Sequence, residues 1–218
     1  TLKEVCYMRS ERRTLTCASC GKTFSARVIL QVDRSRPEDR DANLADGSLF
    51  TFCCPHCGEE MRMNHYLLWV DDGGTVALCN ITCDEEKRAM EESLSALSAF
   101  GKQSNLRRRF VRSPAHLCEK AEIFSAGLDD RVVEIVKLYL AEEVRRAHPQ
   151  KTLTDVLFFP DGEEYGFLFL CPDGDLTVKI TKQMLDEAAA KFSFSEPSPQ
   201  RVDAAWALEF LTKGGKQC

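Results

Sequence analysis

The spacing of apolar and polar positions changes period along this chain, and each change marks a new element. Up to about Ile81 the dominant period is two. Phe24–Val32 (FSARVILQV) is rich in β-branched residues and reads as a strand, and Gly47–Cys53 (GSLFTFC) reads as a second. In Met61–Val70 (MRMNHYLLWV), Met61, Met63, His65 and Leu67 alternate with Arg62, Asn64 and Tyr66, which predicts another strand. That strand and Thr75–Ile81 (TVALCNI) flank Asp71-Asp72-Gly73-Gly74, a hairpin signal. Between the first two strands, the polar stretch Asp33–Gly47 predicts an exposed excursion or a short helix.

From residue 82 the pattern turns helical. Asp84–Phe100 follows Thr82 or Asp84 as a cap, carries acids in its first turns where the helix dipole favours them, and stops at Gly101. Leu106–Arg112 (LRRRFVR) reads as a strand. Ser113 then caps a helix with Pro114 at its first position and Gly127 just past its end. The next helix follows Asp129 and Asp130, presents Val132, Ile135, Val136, Leu138, Tyr139 and Leu140 as a broad apolar face, and ends before Pro149. Beyond it, Thr152–Phe159, Glu164–Cys171 and Asp175–Ile180 are separated by two Pro-Asp-Gly turns, the pattern of a three-stranded meander. A short helix at Lys182–Phe192, a Pro/Ser linker at Ser195–Gln200 and a final helix at Arg201–Leu211 complete the chain. The expectation is an α+β fold. A β module at 1–81 leads into a continuous helical segment at 82–148, and a meander with helices follows at 149–218.

Composition narrows the function. The 218 residues are 44% hydrophobic and 29% charged, ordinary for a globular protein of one or two domains. No apolar run approaches the ~20 residues of a membrane span. The stretch Thr1–Arg13 lacks the apolar core of a signal peptide, so a cytoplasmic location is expected. A net charge of −5 argues against a dedicated duplex-DNA binder. Residues 1–70 carry ten Lys/Arg against nine Asp/Glu, so no basic domain hides there. The basic run Arg107–Arg109, with Arg112 beyond it, is expected to be a solvated strand face or connector.

Eleven cysteines in a cytoplasmic chain are a poor disulfide framework, since cellular thiols keep such bonds reduced. Metal ligation by a subset is the simpler account. Cys17-Ala-Ser-Cys20-Gly21 and Cys54-Pro-His-Cys57-Gly58 share the pattern C-x-x-C-G. That spacing lets one tight turn aim two sulfurs at one ion, while the glycine supplies a left-handed backbone position. Cys17, Cys20, Cys54 and Cys57 would together close a tetrahedral, structural Zn²⁺ site of the zinc-ribbon kind. Cys53 is out of register for that site. Neighbours on a strand point to opposite faces, so it is expected to turn away and pack.

Cys-Pro-His-Cys after a strand is also the pattern of thiol-disulfide oxidoreductases, in which Cys54 would be the nucleophile and Cys57 its partner. That reading needs a helix directly after Cys57, and it leaves the first motif unexplained. Cys79, Cys83, Cys118 and Cys171 are expected to be buried or isolated thiols; Cys6 and Cys218 likewise have no partner spacing. His56 is expected to face solvent and His65 to be a satisfied histidine rather than a ligand. Asp129 and Asp130 read as a cap and a dipole partner, not as a general acid/base pair.

The first motif with its following strand, the charged insertion, Gly47–Arg62 (GSLFTFCCPHCGEEMR) and the later segment Leu117–Leu140 together resemble the CpXC family, a prokaryotic family named for its two C-p-x-C motifs, whose function is uncharacterised. The likeness runs from about Thr14 to Leu140 and implies that Cys17, Cys20, Cys54 and Cys57 are the family cysteines, with Ala18 where the pattern prefers proline. The expected function is a zinc-stabilised binding or scaffold protein that is not an enzyme, with a protein partner on its helical part. A thiol-disulfide oxidoreductase is the alternative, and a nucleic-acid-binding zinc ribbon is a third reading that charge disfavours.

Overall fold

The computed structural model describes residues 10–88, 90–91, 106–194 and 198–214. It divides into two compact units, 1–117 and 118–218. Helices and several small sheets alternate, the mixed α+β architecture the sequence predicts.

The first unit opens with a hairpin of β1 (Ser10–Thr16) and β2 (Thr23–Ile29), paired in register from Ser10 with Ile29 to Thr16 with Thr23. A shorter hairpin of β4 (Thr51–Cys53) and β5 (Glu60–Arg62) follows the polar excursion. In that excursion one 3₁₀ turn forms, Pro37–Asp39, and a second, Ser48–Phe50, takes up the first half of the predicted strand Gly47–Cys53, of which only Thr51–Cys53 pairs as a strand. The remaining strands are β3 (Gln31–Asp33), β6 (Leu67–Val70), β7 (Val76–Asn80) and β8 (Arg107–Val111), joined in the order β3-β6-β7-β8. The β6–β7 pair is the hairpin forecast around Asp71–Gly74, and Asp71 fixes its turn by accepting from the amides of Thr75 and Val76. Leu68, Val70, Ala77, Cys79, Ile81 and Phe110 bury one face of this sheet, together with Met90 of the helical stretch that begins at residue 84. The rest of that predicted helix, through Phe100, lies outside the described residues.

Three expectations are corrected here. Phe24–Val32 is not one strand: it breaks at Leu30, and its halves join different sheets, β2 with β1 and β3 parallel to β6. Met61–Val70 is likewise interrupted at residues 63–66, where Asn80 donates its side-chain amide to the His65 carbonyl at 2.6 Å and holds the chain out of strand geometry. Arg109 is buried on β8 and donates to the carbonyl of Arg108, so the basic run is not a solvated stripe.

Helix α1 (Pro114–Ser125) begins as the sequence predicts, with the Ser113 hydroxyl accepting from the His116 amide. It ends with Gly127 at φ 69°, the Gly127 and Leu128 amides closing onto the Phe124 and Ile123 carbonyls. Helix α2 (Asp130–Ala147) is capped by Asp129, whose side chain accepts from the Arg131 amide. The meander follows as β9 (Asp155–Asp161), β10 (Glu164–Leu170) and β11 (Leu176–Thr181), with β10 central. Helices α3 (Lys182–Ala189) and α4 (Ala204–Thr212) complete this unit. Ile123, Val133, Ala141 and Val144 pack with Phe158, Phe167, Phe169, Ile180 and Leu185 in its core.

The buried face of α2 differs from the one forecast. Tyr139 is 53% exposed, while Asp130, Arg131, Glu134 and Lys137 are buried. These charges are kept in the interior by pairing. The Lys120 ammonium lies 2.9 Å from Glu134 and 3.2 Å from Asp130; Lys137 lies 2.8 Å from Glu119 and 3.4 Å from Glu134. Asp130, read from sequence as a dipole partner, is thus part of an interior ionic cluster.

Candidate metal centre

Both C-x-x-C-G motifs occupy the tips of hairpins, the first between β1 and β2 and the second between β4 and β5. Their backbones make the same bonds. Cys17 donates its amide to Lys22 and accepts from Gly21, at 3.0 and 2.9 Å; Cys54 does the same with Glu59 and Gly58, at 2.8 and 2.9 Å. Gly21 and Gly58 have φ of 71° and 77°, in the left-handed region where a side chain is disfavoured. The local sequence therefore builds one turn twice.

The two tips face each other across the space between their sulfurs. Cys17 Sγ lies 3.6 Å from Cys57 Sγ, and Cys20 Sγ lies 3.8 Å from Cys54 Sγ. All four sulfurs fall within 4.8 Å of one another. A tetrahedron of thiolates around zinc, with bonds of about 2.3 Å, has edges of roughly 3.8 Å, so the donor set fits such an ion both chemically and in size. Cys17 and Cys54 are buried, whereas Cys20 and Cys57 are exposed. The four cysteines singled out by spacing are thus brought together by the fold, and the group could hold a metal ion.

The thiols are electrostatically unequal. Burial opposes the Cys54 thiolate, yet the amides of His56 and Cys57 and the neighbouring sulfurs bring its pKa down to about 6. The Glu59 amide favours the Cys57 thiolate, but desolvation and the three adjacent thiols push that pKa up to about 12. Turn amides aimed at sulfur are what a charged thiolate set needs. After Cys57 the chain enters β5, so Cys54 does not sit at a helix N-terminus.

Cys53 turns away from the cluster as its register requires, but it does not pack in the interior. Its thiol is exposed and points at the Gly58 carbonyl, 3.5 Å away. His56 is exposed as expected, and its Nε2 lies 3.3 Å from the Thr23 carbonyl, which links the second tip to the start of β2. His65 is buried and both ring nitrogens have partners. Cys79 is also buried, and burial pushes its thiol pKa up. Cys171 is buried, Cys83 and Cys118 are half-buried, and Cys6 and Cys218 lie outside the described residues. Among the described residues this is the one cluster of His, Cys, Asp and Glu side chains close enough to share an ion. Sequence reasoning missed the interior ionic cluster of the second unit, for which local spacing carries no signal.

Paired knuckle hairpins converging on four thiols define the class: a small cysteine-knuckle domain carrying a candidate metal centre. The model of the CpXC protein family matches residues 15–137, more than half of the chain, and the chain belongs to that family. No curated protein and no solved structure matches it. Among the described residues, no helix is long and apolar enough to cross a membrane.

Proposed function

We propose that the protein is a cytoplasmic, zinc-stabilised binding or scaffold protein rather than an enzyme, with Cys17, Cys20, Cys54 and Cys57 holding one structural Zn²⁺. The observation that carries this reading is the mutual distance of the four sulfurs, all within 4.8 Å on two turns of identical hydrogen bonding. Four protein donors complete a tetrahedral shell and leave no vertex for water or substrate, the arrangement of structural rather than catalytic zinc. Bound there, zinc would supply cross-linking of the two hairpins, and its binding energy would appear as folding stability. The protein-binding half of the proposal is supported by Tyr139, Met184 and Leu208, large apolar side chains that stand exposed on α2, α3 and α4.

The low pKa of Cys54 in the metal-free thiol set is the one feature an oxidoreductase would use. Both readings are separated by elemental analysis with thiol alkylation on native, reduced protein. The structural reading expects about one zinc per chain, Cys54 and Cys57 resistant to alkylation until a chelator is added, and no disulfide turnover. Protein that carries no metal yet reduces or oxidises a model disulfide, and loses this activity in Cys54→Ser, would overturn it.

A further inference from the structure

His65 lies in the first unit, 1% exposed, with its ring against those of Phe50 and Phe52 at centroid distances of 4.8 and 6.0 Å. Its hydrogen bonding is unusual. Nδ1 lies 3.2 Å from the Met63 carbonyl and Nε2 lies 3.1 Å from the Ile29 carbonyl. Both partners are acceptors only. A neutral imidazole carries one N–H and one lone pair, so in that form one ring nitrogen turns a lone pair on a carbonyl oxygen. The imidazolium, with two N–H groups, satisfies both contacts.

The carbonyls belong to different hairpins. Ile29 is the last residue of β2, at the root of the hairpin whose tip carries Cys17 and Cys20. Met63 follows β5, at the root of the hairpin whose tip carries Cys54 and Cys57. His65 itself is tied to the four-stranded sheet, because its backbone carbonyl accepts from the Asn80 side-chain amide at 2.6 Å. The four sulfurs join the hairpins at their tips, and the His65 ring joins them at their roots.

We propose that His65 is a proton-dependent clasp between the two knuckle hairpins, a positioning residue whose imidazolium form holds the hairpin roots at the separation at which the four thiols meet. When the ring is neutral, one of the two carbonyl contacts is given up and the roots are held by one hydrogen bond. Burial is the largest influence on this ring and favours the neutral form; the two carbonyls favour the cation, and of the charged groups on β1 Arg13 opposes it while Glu11 supports it. From the other elements the ring meets Phe50, Phe52 and the Met63 and Ile29 carbonyls. Burial outweighs the carbonyls and sets the titration below the ordinary histidine range, so protonation costs the folded protein stability relative to a solvated ring. Within the folded protein the two carbonyl contacts, which favour the cation, strengthen as the ring takes up its proton.

The clasp depends on the hairpins, and its effect on the metal rests on the zinc reading above, so two measurements keep these apart. The first is ring-nitrogen NMR of the full-length protein, resolved among its four histidines and run with and without added zinc. The expected result is that the His65 ring passes within the folded range from a single tautomer to a doubly protonated form with both N–H protons protected from exchange. A ring that stays neutral in one tautomer down to the acid unfolding transition overturns the proposal, whatever the metal content. The second is the rate of zinc release to a chromogenic chelator for the wild type and His65→Gln, which cannot donate at both ends. Acid speeds release from both by protonating thiolates. The ratio of the variant's rate to that of the wild type should rise to roughly tenfold below the His65 titration, the scale of one buried hydrogen bond, and fall toward unity above it. A ratio independent of pH overturns the positioning role. Absence of zinc binding in the wild type would refute the metal reading instead, with the NMR experiment still deciding on the clasp.

Discussion

Replacing Lys137 with Met removes one of two ammonium groups that pair with three interior carboxylates. Glu119, Asp130 and Glu134 are 3%, 0% and 3% exposed, and Lys120 and Lys137 are 1% and 6% exposed. Lys137 is 2.8 Å from Glu119, an attraction of about 6 kcal/mol at an effective dielectric of ~20. Desolvation of the two ions consumes much of that, so the intact pair adds little net stability. Its loss is another matter. The variant leaves Glu119 without its 2.8 Å ammonium; among the described residues the Phe158 amide, 2.6 Å from Oε1, is then its remaining hydrogen-bond donor, and Oε2 is buried with no partner. Orphaning one member of a buried pair costs about 3–5 kcal/mol, a large part of the roughly 5–15 kcal/mol that holds a domain together.

Glu119 has one way to limit the damage, which is to take up a proton. Burial already raises its pKa from the ordinary glutamate value of 4.5. For an acid with a raised folded-state pKa, the folded protein holds the proton at a pH where the unfolded chain has released it. Stability from this group is therefore fully present below 4.5 and declines as pH rises through the raised value. Lys137→Met widens the pH range over which that loss runs, and Glu119→Gln abolishes it. Urea unfolding with unchanged m-values, at mildly acidic and alkaline pH, measures both. The expected order is a Lys137→Met cost that grows with pH and a double variant with Glu119→Gln that recovers a large share of it. A cost below about 1 kcal/mol, or the same cost at both pH values, would refute the view that the cluster is a mutually dependent set of buried charges.

Further outcomes follow from single positions. Cys54→Ser should abolish zinc binding measured by elemental analysis, while Cys53→Ala, which removes an exposed thiol outside the sulfur cluster, should leave the stoichiometry unchanged. Gly58→Ala keeps every donor but forces a side chain into φ 77°, and should cost about 1–2 kcal/mol of stability in the zinc-loaded form by thermal melting. Gly166→Ala drives a Cβ into the ring of Phe159, its cross-strand partner, and should lower the unfolding free energy measured in urea by about 1–3 kcal/mol as that ring is displaced.

What could be read in advance follows the range of the interactions. The knuckles were legible because their chemistry is local: three-residue spacing places two sulfurs on one turn, and the following glycine reports the backbone angle. The meander was legible for the same reason, its two Pro-Asp-Gly turns standing between β-rich runs. Strand β1 went unassigned because its inward positions include Glu11 and Arg13, which look like solvent-facing residues until β2 pairs with them. The break at 63–66 depends on Asn80, a residue 15 positions beyond His65. An apolar-only reading of α2 chose Tyr139 and passed over Glu134 and Lys137, because a buried charge resembles an exposed one until its partner is known. Lys120 meets Glu134 from 14 residues away, and Lys137 meets Glu119 from 18.

The position of these charges bears on what the family match encloses. Residues 15–137 contain the four thiols and also Glu119, Lys120, Asp130, Glu134 and Lys137, so the matched segment ends at the last ammonium of the ionic cluster. Several of the groups that cover this cluster lie beyond it. The Phe158 amide, on β9, donates to Glu119, and Phe158, Phe167 and Phe169 pack with Val133 and Ile123 in the same core. A set with three carboxylates and two ammoniums is tolerable in an interior when its charges are paired and hydrogen-bonded, and a strand outside the matched span supplies one of those donors. The meander is therefore one of the elements beyond the family segment that cover its charged helix face in this chain, and Asp203, which caps the last helix and feels the Lys120 charge, belongs to another. The second unit is held by that arrangement of charge as well as by its aromatic core.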